Sequence, residues 1–259
     1  VKNLSYHEIN YSENRPFFKE GVELFNKNQL FYSRRVGKMP SGFYDVEGQL
    51  NEGEKIKENP SNAKMLNAVK ISGRDNNGLG IGIFNAITDN TYATVEDSTG
   101  AERRILTEPL TNYNVLVFDQ QMKNNSSIYF MNTNMTKDNS NIVANVTGTG
   151  LTLENKSHTY AMDVSGALSQ KYTKNDTLQN TYTTVTGYKY FLGARKISGN
   201  LMFGASHSYI NKSYNSRDLG YYVIGNRMTE VLYLEYNIYN PNKIFRDAYN
   251  ELFFSYSSN

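Results

Sequence analysis

The sequence predicts an all-β protein, an antiparallel transmembrane β-barrel of outer-membrane type, with a short helical or extended segment before it. Three observations carry that expectation. From Lys64 onward apolar and polar residues alternate with a period of two, as strands with unlike faces require. Many candidate strands reach about ten residues or more, longer than the five or six usual in globular sheets. The third is compositional: 21 Tyr, 13 Phe and 34 Asn stand beside a mean hydropathy of −0.60. Aromatics favour pleated strands and membrane interfaces, Asn favours turns, and a barrel is apolar only on its lipid side. A soluble β-sandwich with long loops, or a carbohydrate-binding module, is the alternative that composition also allows.

Several function classes fall away at once. The 27 Lys+Arg against 25 Asp+Glu leave no basic excess to neutralise phosphates, so nucleic acid is not an expected partner. Without Cys there are no disulfides, thiolate metal sites or cysteine catalysis. Three dispersed histidines, His7, His158 and His207, make a poor zinc site, and no cofactor is expected. No apolar run reaches the roughly 18 residues of a membrane-spanning helix. Val1 opens without the charged start and apolar stretch of a signal peptide, which reads as a mature protein or part of a longer one.

Residues 1–62 form a first unit, a linker or lumen-associated segment. Pro16 suits a first helical turn, and Phe17, Phe18, Val22 and Phe25 could share a helical face despite Gly21. Residues 30–37 read as extended, and residues 47–60 as a charged, Gly-containing loop. Residues 63–259 are the strand unit. Nine strands are expected, near 64–73, 79–88, 111–122, 127–135, 158–171, 182–195, 201–210, 228–239 and 248–257. In the cleanest, Tyr160, Met162, Val164 and Leu168 make one face while Asp163, Ser165 and Ser169 make the other. Connections 74–78 and 123–126 are short and 89–110 and 136–157 long and polar, as in outer-membrane barrels. The rule then falters at 196–200 and 211–227, which points to a miscounted strand near 172–185 or one long periplasmic connection. The odd count suggests further strands beyond the segment. Gly80, Gly82, Gly166, Gly187 and Gly193 are expected to permit sheet curvature or close packing inside the wall.

Arg15-Pro16-Phe17-Phe18-Lys19-Glu20-Gly21 and Leu30-Phe31-Tyr32-Ser33-Arg34-Arg35-Val36-Gly37 carry a resemblance. Asn67-Ala68-Val69-Lys70-Ile71-Ser72-Gly73 and Tyr214-Asn215-Ser216-Arg217-Asp218-Leu219-Gly220-Tyr221 add to it. The chain resembles a Bacteroidota outer-membrane β-barrel family of unassigned function, whose members carry a domain similar to carbohydrate-binding module family nine before the barrel. The resemblance implies the linker and first part of the barrel, with any carbohydrate contact made by a domain absent from this chain. It implies no activity to transfer.

The residues expected to matter follow from the two-faced strands. Lys70, Asp163, Lys171, Lys189, Arg195 and Glu235 are the lumen-facing candidates for solute selectivity, as charges lining a pore are, or for packing of a plugged wall. Arg34 and Arg35, with Glu13, Glu20 and Glu23 upstream, are candidates for an ion-paired segment in or under the lumen, since the Arg fork matches a carboxylate. Catalysis finds little support. His158 follows Ser157 and His207 lies between Ser206 and Ser208, but neighbouring strand residues face opposite ways. Asp75, Asp89, Asp97, Asp138, Asp176 and Asp218 read as turn carboxylates rather than a calcium site. The expected function is therefore a passive solute channel or a membrane scaffold in the bacterial outer membrane, with lipid and other envelope proteins as the candidate partners. An outer-membrane hydrolase is the less favoured alternative.

Overall fold

A computed structural model describes residues 13–138, 142–174, 181–239 and 246–259, the side chain of Lys174 excepted. Residues 1–12 of the expected first unit, and 175–180 of the suspected strand near 172–185, lie outside them. The only α-helix among the described residues is α1, Pro16–Lys19. The strands are β1 Lys55–Glu58, β2 Met65–Arg74, β3 Leu79–Thr88, β4 Thr91–Glu96, β5 Glu102–Glu108, β6 Thr111–Gln121 and β7 Ser127–Lys137. They continue as β8 Ile142–Glu154, β9 Tyr160–Lys174, β10 Tyr182–Lys196, β11 Leu201–Ile210, β12 Arg227–Ile238 and β13 Ala248–Ser258. Ten of them form one antiparallel sheet in the order β13-β12-β11-β10-β9-β8-β7-β6-β3-β2, and β1-β4-β5 form a second. The large sheet is not closed: β2 and β13 are its edges.

Three expectations change. The helix over residues 16–25 stops after one turn, because Gly21 takes φ +54 and only a separate turn follows, Phe25 N–H to Val22 O at 3.0 Å. Phe18 and Phe25 are buried while Phe17 and Val22 are exposed, so the four share no face. Residues 33–35, expected to be extended, make a 3₁₀ turn, and the loop 47–60 holds another at Glu47–Gln49 and then β1. Third, the missing strand is β8, inside the presumed long loop 136–157. Its Gly148, Gly150 and threonines hid the alternation of Ala144 and Val146, which are buried. Likewise β4 and β5 occupy the presumed loop 89–110.

With β8 counted, most short connections share one end of the large sheet and the two longest share the other. Connections 75–78, 122–126, 155–159 and 197–200 fall at one end of the large sheet, while 89–110 and 211–226 fall at the other. Connection 239–247 falls at the first end, mostly outside the described residues. The turn 122–126 is tight because Asn124 and Asn125 accept left-handed backbone, φ +56 and +53, which Asn tolerates better than most residues. The small sheet packs Ala93, Val95 and Ile105 against Val46, with Leu50 and Ile56 at the margin. It is fastened to the large one through Glu108, which accepts Ser41 N–H and Oγ–H at 2.7 Å and pairs with Lys137 at 2.6 Å.

Alternation splits the large sheet into two faces. On the bare face, Leu79, Ile81 and Ile83 continue into Leu116 and Phe118, Ile128 and Phe130, and Tyr160 and Met162. Leu192, Phe203, Leu232, Leu234 and Phe254 extend the belt to β13, and Leu232 remains 54% exposed. One register row on that face is polar: Asn85, Asn114, Asn134, Asn145, Gln170 and Thr186. Asn85 Nδ2 donates to Asn114 Oδ1 at 2.8 Å within it. The other face is covered over β3 and β6–β9, while at the β13 edge its Tyr249, Glu251 and Phe253 stay exposed. Phe84, Ala86, Tyr113, Val115, Val117, Met131, Met135, Ala144 and Val146 hold the main core there, against Phe18, Leu24, Phe25, Leu30 and Val36 of the N-terminal segment. The strand faces expected to be polar are thus apolar over β3 and β6–β8, because the chain supplies its own apolar cover.

Candidate functional site

The covered face is made to receive residues 15–36. Gly80, Gly82 and Gly148 leave room where a side chain would intrude. A Cβ at Gly148 would lie 2.4 Å from Leu30 Cδ1, and one at Gly80 would lie 2.7 Å from Leu24 Cδ2. The aromatic part of the cover is continuous, with Phe18 and Phe31 each meeting Phe84, ring centres 5.8 and 5.3 Å apart. Such tilted contacts add roughly 1 kcal/mol each to the burial itself. The segment is also cross-tied. Arg15 stacks 4.0 Å from the centre of the Phe18 ring and donates to Ser33 O and Val36 O, both at 2.9 Å.

Glu13 receives Arg15 at 2.8 Å and Ser33 Oγ–H at 2.6 Å. Burial pushes its carboxyl up, but these hydrogen bonds outweigh it and hold the group down at about 2. Glu13 with Arg15 is thus one ion pair of this segment. Arg35 donates Nε–H to Gly220 O at 3.0 Å and lies 5.6 Å from the Tyr32 ring centre, and Arg34 stands beside it in the 3₁₀ turn. Glu20 contributes its carbonyl, which accepts from Lys70.

A second cover comes from residues 211–226. Tyr32 N–H donates to Leu219 O at 2.7 Å and Tyr221 N–H to Gln29 O at 3.0 Å, so this loop and the N-terminal segment hold each other. Asn215 N–H reaches Ser169 Oγ at 3.0 Å, and Tyr214 and Leu219 are buried. Gly187 allows the approach: a Cβ there would lie 2.2 Å from Tyr214 N.

All six charged residues singled out from the sequence lie on this face. Three engage the covering chain. Lys70 donates to Phe17 O and Glu20 O; Lys189 donates to Asn28 O at 2.9 Å and Asn28 Oδ1 at 3.1 Å; Lys171 pairs with Asp218 at 3.2 Å. Two pair with each other: Arg195 binds Asp163, which also accepts Thr152 Oγ1–H at 2.8 Å. Glu235 sits apart, facing Glu251 across the β12–β13 pair. The strongest cluster escaped the sequence reading. Asp119, with only 1% of its side chain exposed, receives both Lys27 of the cover and Arg74 of β2. A signal existed: Asp119 closes the otherwise uncharged row Thr111, Tyr113, Val115, Val117, and a charge on a buried face demands partners.

Other candidates stay dispersed. Asp75 and Asp97 accept backbone N–H groups of their own turns, from Leu79 at 2.8 Å and Ala101 at 2.9 Å. Among the described residues no three His, Asp or Glu are grouped as a metal would need. His158 pairs with Glu154 at 3.1 Å. On the bare face, His207 meets Glu230 at 3.3 Å and Tyr190 Oη at 3.2 Å. Ser206 and Ser208 alternate to the opposite face from His207.

Fold and site together define an all-β antiparallel protein whose large sheet is partly covered on one face by its own N-terminal segment and one long loop. No helix among the described residues is long and apolar enough to cross a membrane. Over residues 1–259 the chain matches the model of a family described as a domain of unknown function, DUF5916, and it belongs to that family. No curated protein and no solved structure matches it.

Proposed function

We propose that the ten-stranded sheet is wall of an outer-membrane β-barrel, with the bare face toward lipid and the cover inside. The observation that carries this reading is the bare face itself. Its belt of Ile, Leu, Phe, Met and Tyr side chains crosses every strand of the large sheet, and Ile71, Ile83 and Leu252 are 63%, 46% and 70% exposed. Soluble monomers seldom leave more than a few hundred Å² of contiguous apolar surface in water. Strands of 10 to 15 residues, tilted about 40°, rise enough to cross an apolar band of roughly 25 Å. The short connections 75–78, 122–126, 155–159 and 197–200 share one end with 239–247, and the two longest, 89–110 and 211–226, share the other with the four-residue 138–141, a bias that supports the same reading. A lipid-spanning wall tolerates no free edge, so β2 and β13 must each gain a neighbour in the membrane, from one another or from strands outside these ten.

Within that reading the cover favours a scaffold or blocked channel over an open pore. Lys70, Lys171 and Lys189 are already engaged by the protein's own chain, so three of the charges that would select solutes hold the interior filled. Detergent extraction, heat-modifiable gel migration and single-channel recording test this. We expect dependence on detergent, a shift on heating, and little or no steady conductance. Full solubility without detergent and no heat shift would instead support the β-sandwich, with a second sheet packed on the bare face.

A further inference from the structure

The loop 211–226 bridges β9 and β10 over a cavity of about 460 Å³, within the range of small-molecule sites. Ser169 and Lys171 of β9 and Val185 of β10 form its wall, and residues 212–217 and 222–226 enclose it. Its charge is one-sided. Lys171, Lys212 and Arg217 line it, and no carboxylate does among the described residues. Asp218 engages Lys171 at 3.2 Å, whereas Lys212 and Arg217 have no carboxylate partner among those residues. The Arg217 guanidinium sits 3.7 Å from the centre of the Tyr222 ring. Such stacking holds a guanidinium in place without using its N–H donors, which leaves them free to meet an oxyanion. Ser213 and Asn226 add neutral hydrogen-bonding groups to the same wall.

We propose that this cavity binds a small organic oxyanion bearing hydroxyl groups, about the size of a monosaccharide. Lys212 and Arg217 hold the carboxylate or phosphate, and the hydroxyl and amide side chains hold the sugar-like hydroxyls. Charge-assisted bonds from Arg and Lys supply most of the affinity, and partial enclosure by the loop strengthens them. The site stands whether or not the bare face meets lipid. In the barrel reading it lies at the end opposite the tight turns.

The test is calorimetric titration of the folded full chain with glucuronate, glucose 6-phosphate and uncharged glucose. We expect saturable binding of at least one anion, with glucose at least about tenfold weaker. The two anions decide between a carboxylate and a phosphate. Lys212→Gln and Arg217→Gln, both at exposed positions, should each weaken the anion about tenfold, while Lys212→Arg retains it. Lys123→Gln, in a turn at the opposite end, should change nothing. Glucose binding as tightly as the anions, no anion binding, or unchanged affinity in the Lys212→Gln/Arg217→Gln double variant would each overturn the proposal. Because the assay reads binding and not insertion, its failure leaves the heat-shift result untouched.

Discussion

Gly187→Ala is the sharpest probe of how the cover is held. The added methyl would lie 2.2 Å from Tyr214 N, 2.3 Å from Ser213 C and 2.4 Å from Tyr214 Cα. These are main-chain atoms, which cannot rotate aside, so the loop must lift by about 1 Å to regain ordinary contact. That movement strains the bonds from Asn215 N–H to Ser169 Oγ at 3.0 Å and from Asn211 N–H to Tyr188 O at 2.9 Å. Overpacking costs about 1–3 kcal/mol and each bond lost about 1 kcal/mol, so roughly 3 kcal/mol of the loop's closing free energy should go. Hydrogen exchange measures it directly. Amides in 211–226 should exchange about a hundredfold faster in the variant, while those of the β2–β3 pair keep their rates. Equal exchange in 211–226 for variant and wild type would mean the loop does not rest on Gly187, and the account of the second cover would fail.

Four further outcomes are expected. Leu30→Ala, at a fully buried position, should cost about 2–5 kcal/mol in denaturant unfolding, because residues 15–36 lose their deepest apolar anchor. Asp119→Asn should cost about 3 kcal/mol, since Lys27 and Arg74 lose a shared carboxylate; their own partial exposure, 19% and 34%, keeps the loss at the low end of the buried-pair range. Glu13 is depressed on folding to about 2, so its contribution is present above the unfolded value near 4.5 and lost as pH falls toward 2. A pH titration of stability should show that loss, up to about 3 kcal/mol, and Glu13→Gln should remove it. In lipid vesicles Ile83→Arg should cost about 2–4 kcal/mol and Asn134→Arg at most about 1, because the first enters the apolar belt and the second joins the amide row; equal costs would count against lipid contact there.

Residues 160–169 show what a sequence can say unaided. Their period of two separated Tyr160, Met162, Val164 and Leu168 from Asp163, Ser165 and Ser169, and the strand carries those sets on opposite faces. The same alternation located Lys70, Lys171, Lys189, Arg195 and Glu235 on one side, because in a strand facing is a property of neighbours along the chain. Residues 142–154 show the limit. Gly148 and Gly150 carry no side chain to mark a face, and their meaning emerges only from Leu30 and Tyr129 packed upon them.

Sequence alone therefore determined the strand class, most strand positions and the side on which the charges lie, since these are local consequences of backbone geometry. Only the tertiary structure decided what those charges hold. Lys27 meets Asp119 across 92 positions and Lys189 meets Asn28 across 161, and contacts so distant along the chain leave no periodic trace in it. Whether a strand's second face meets water, lipid or the protein's own cover depends on chain returning from elsewhere, which no local pattern encodes.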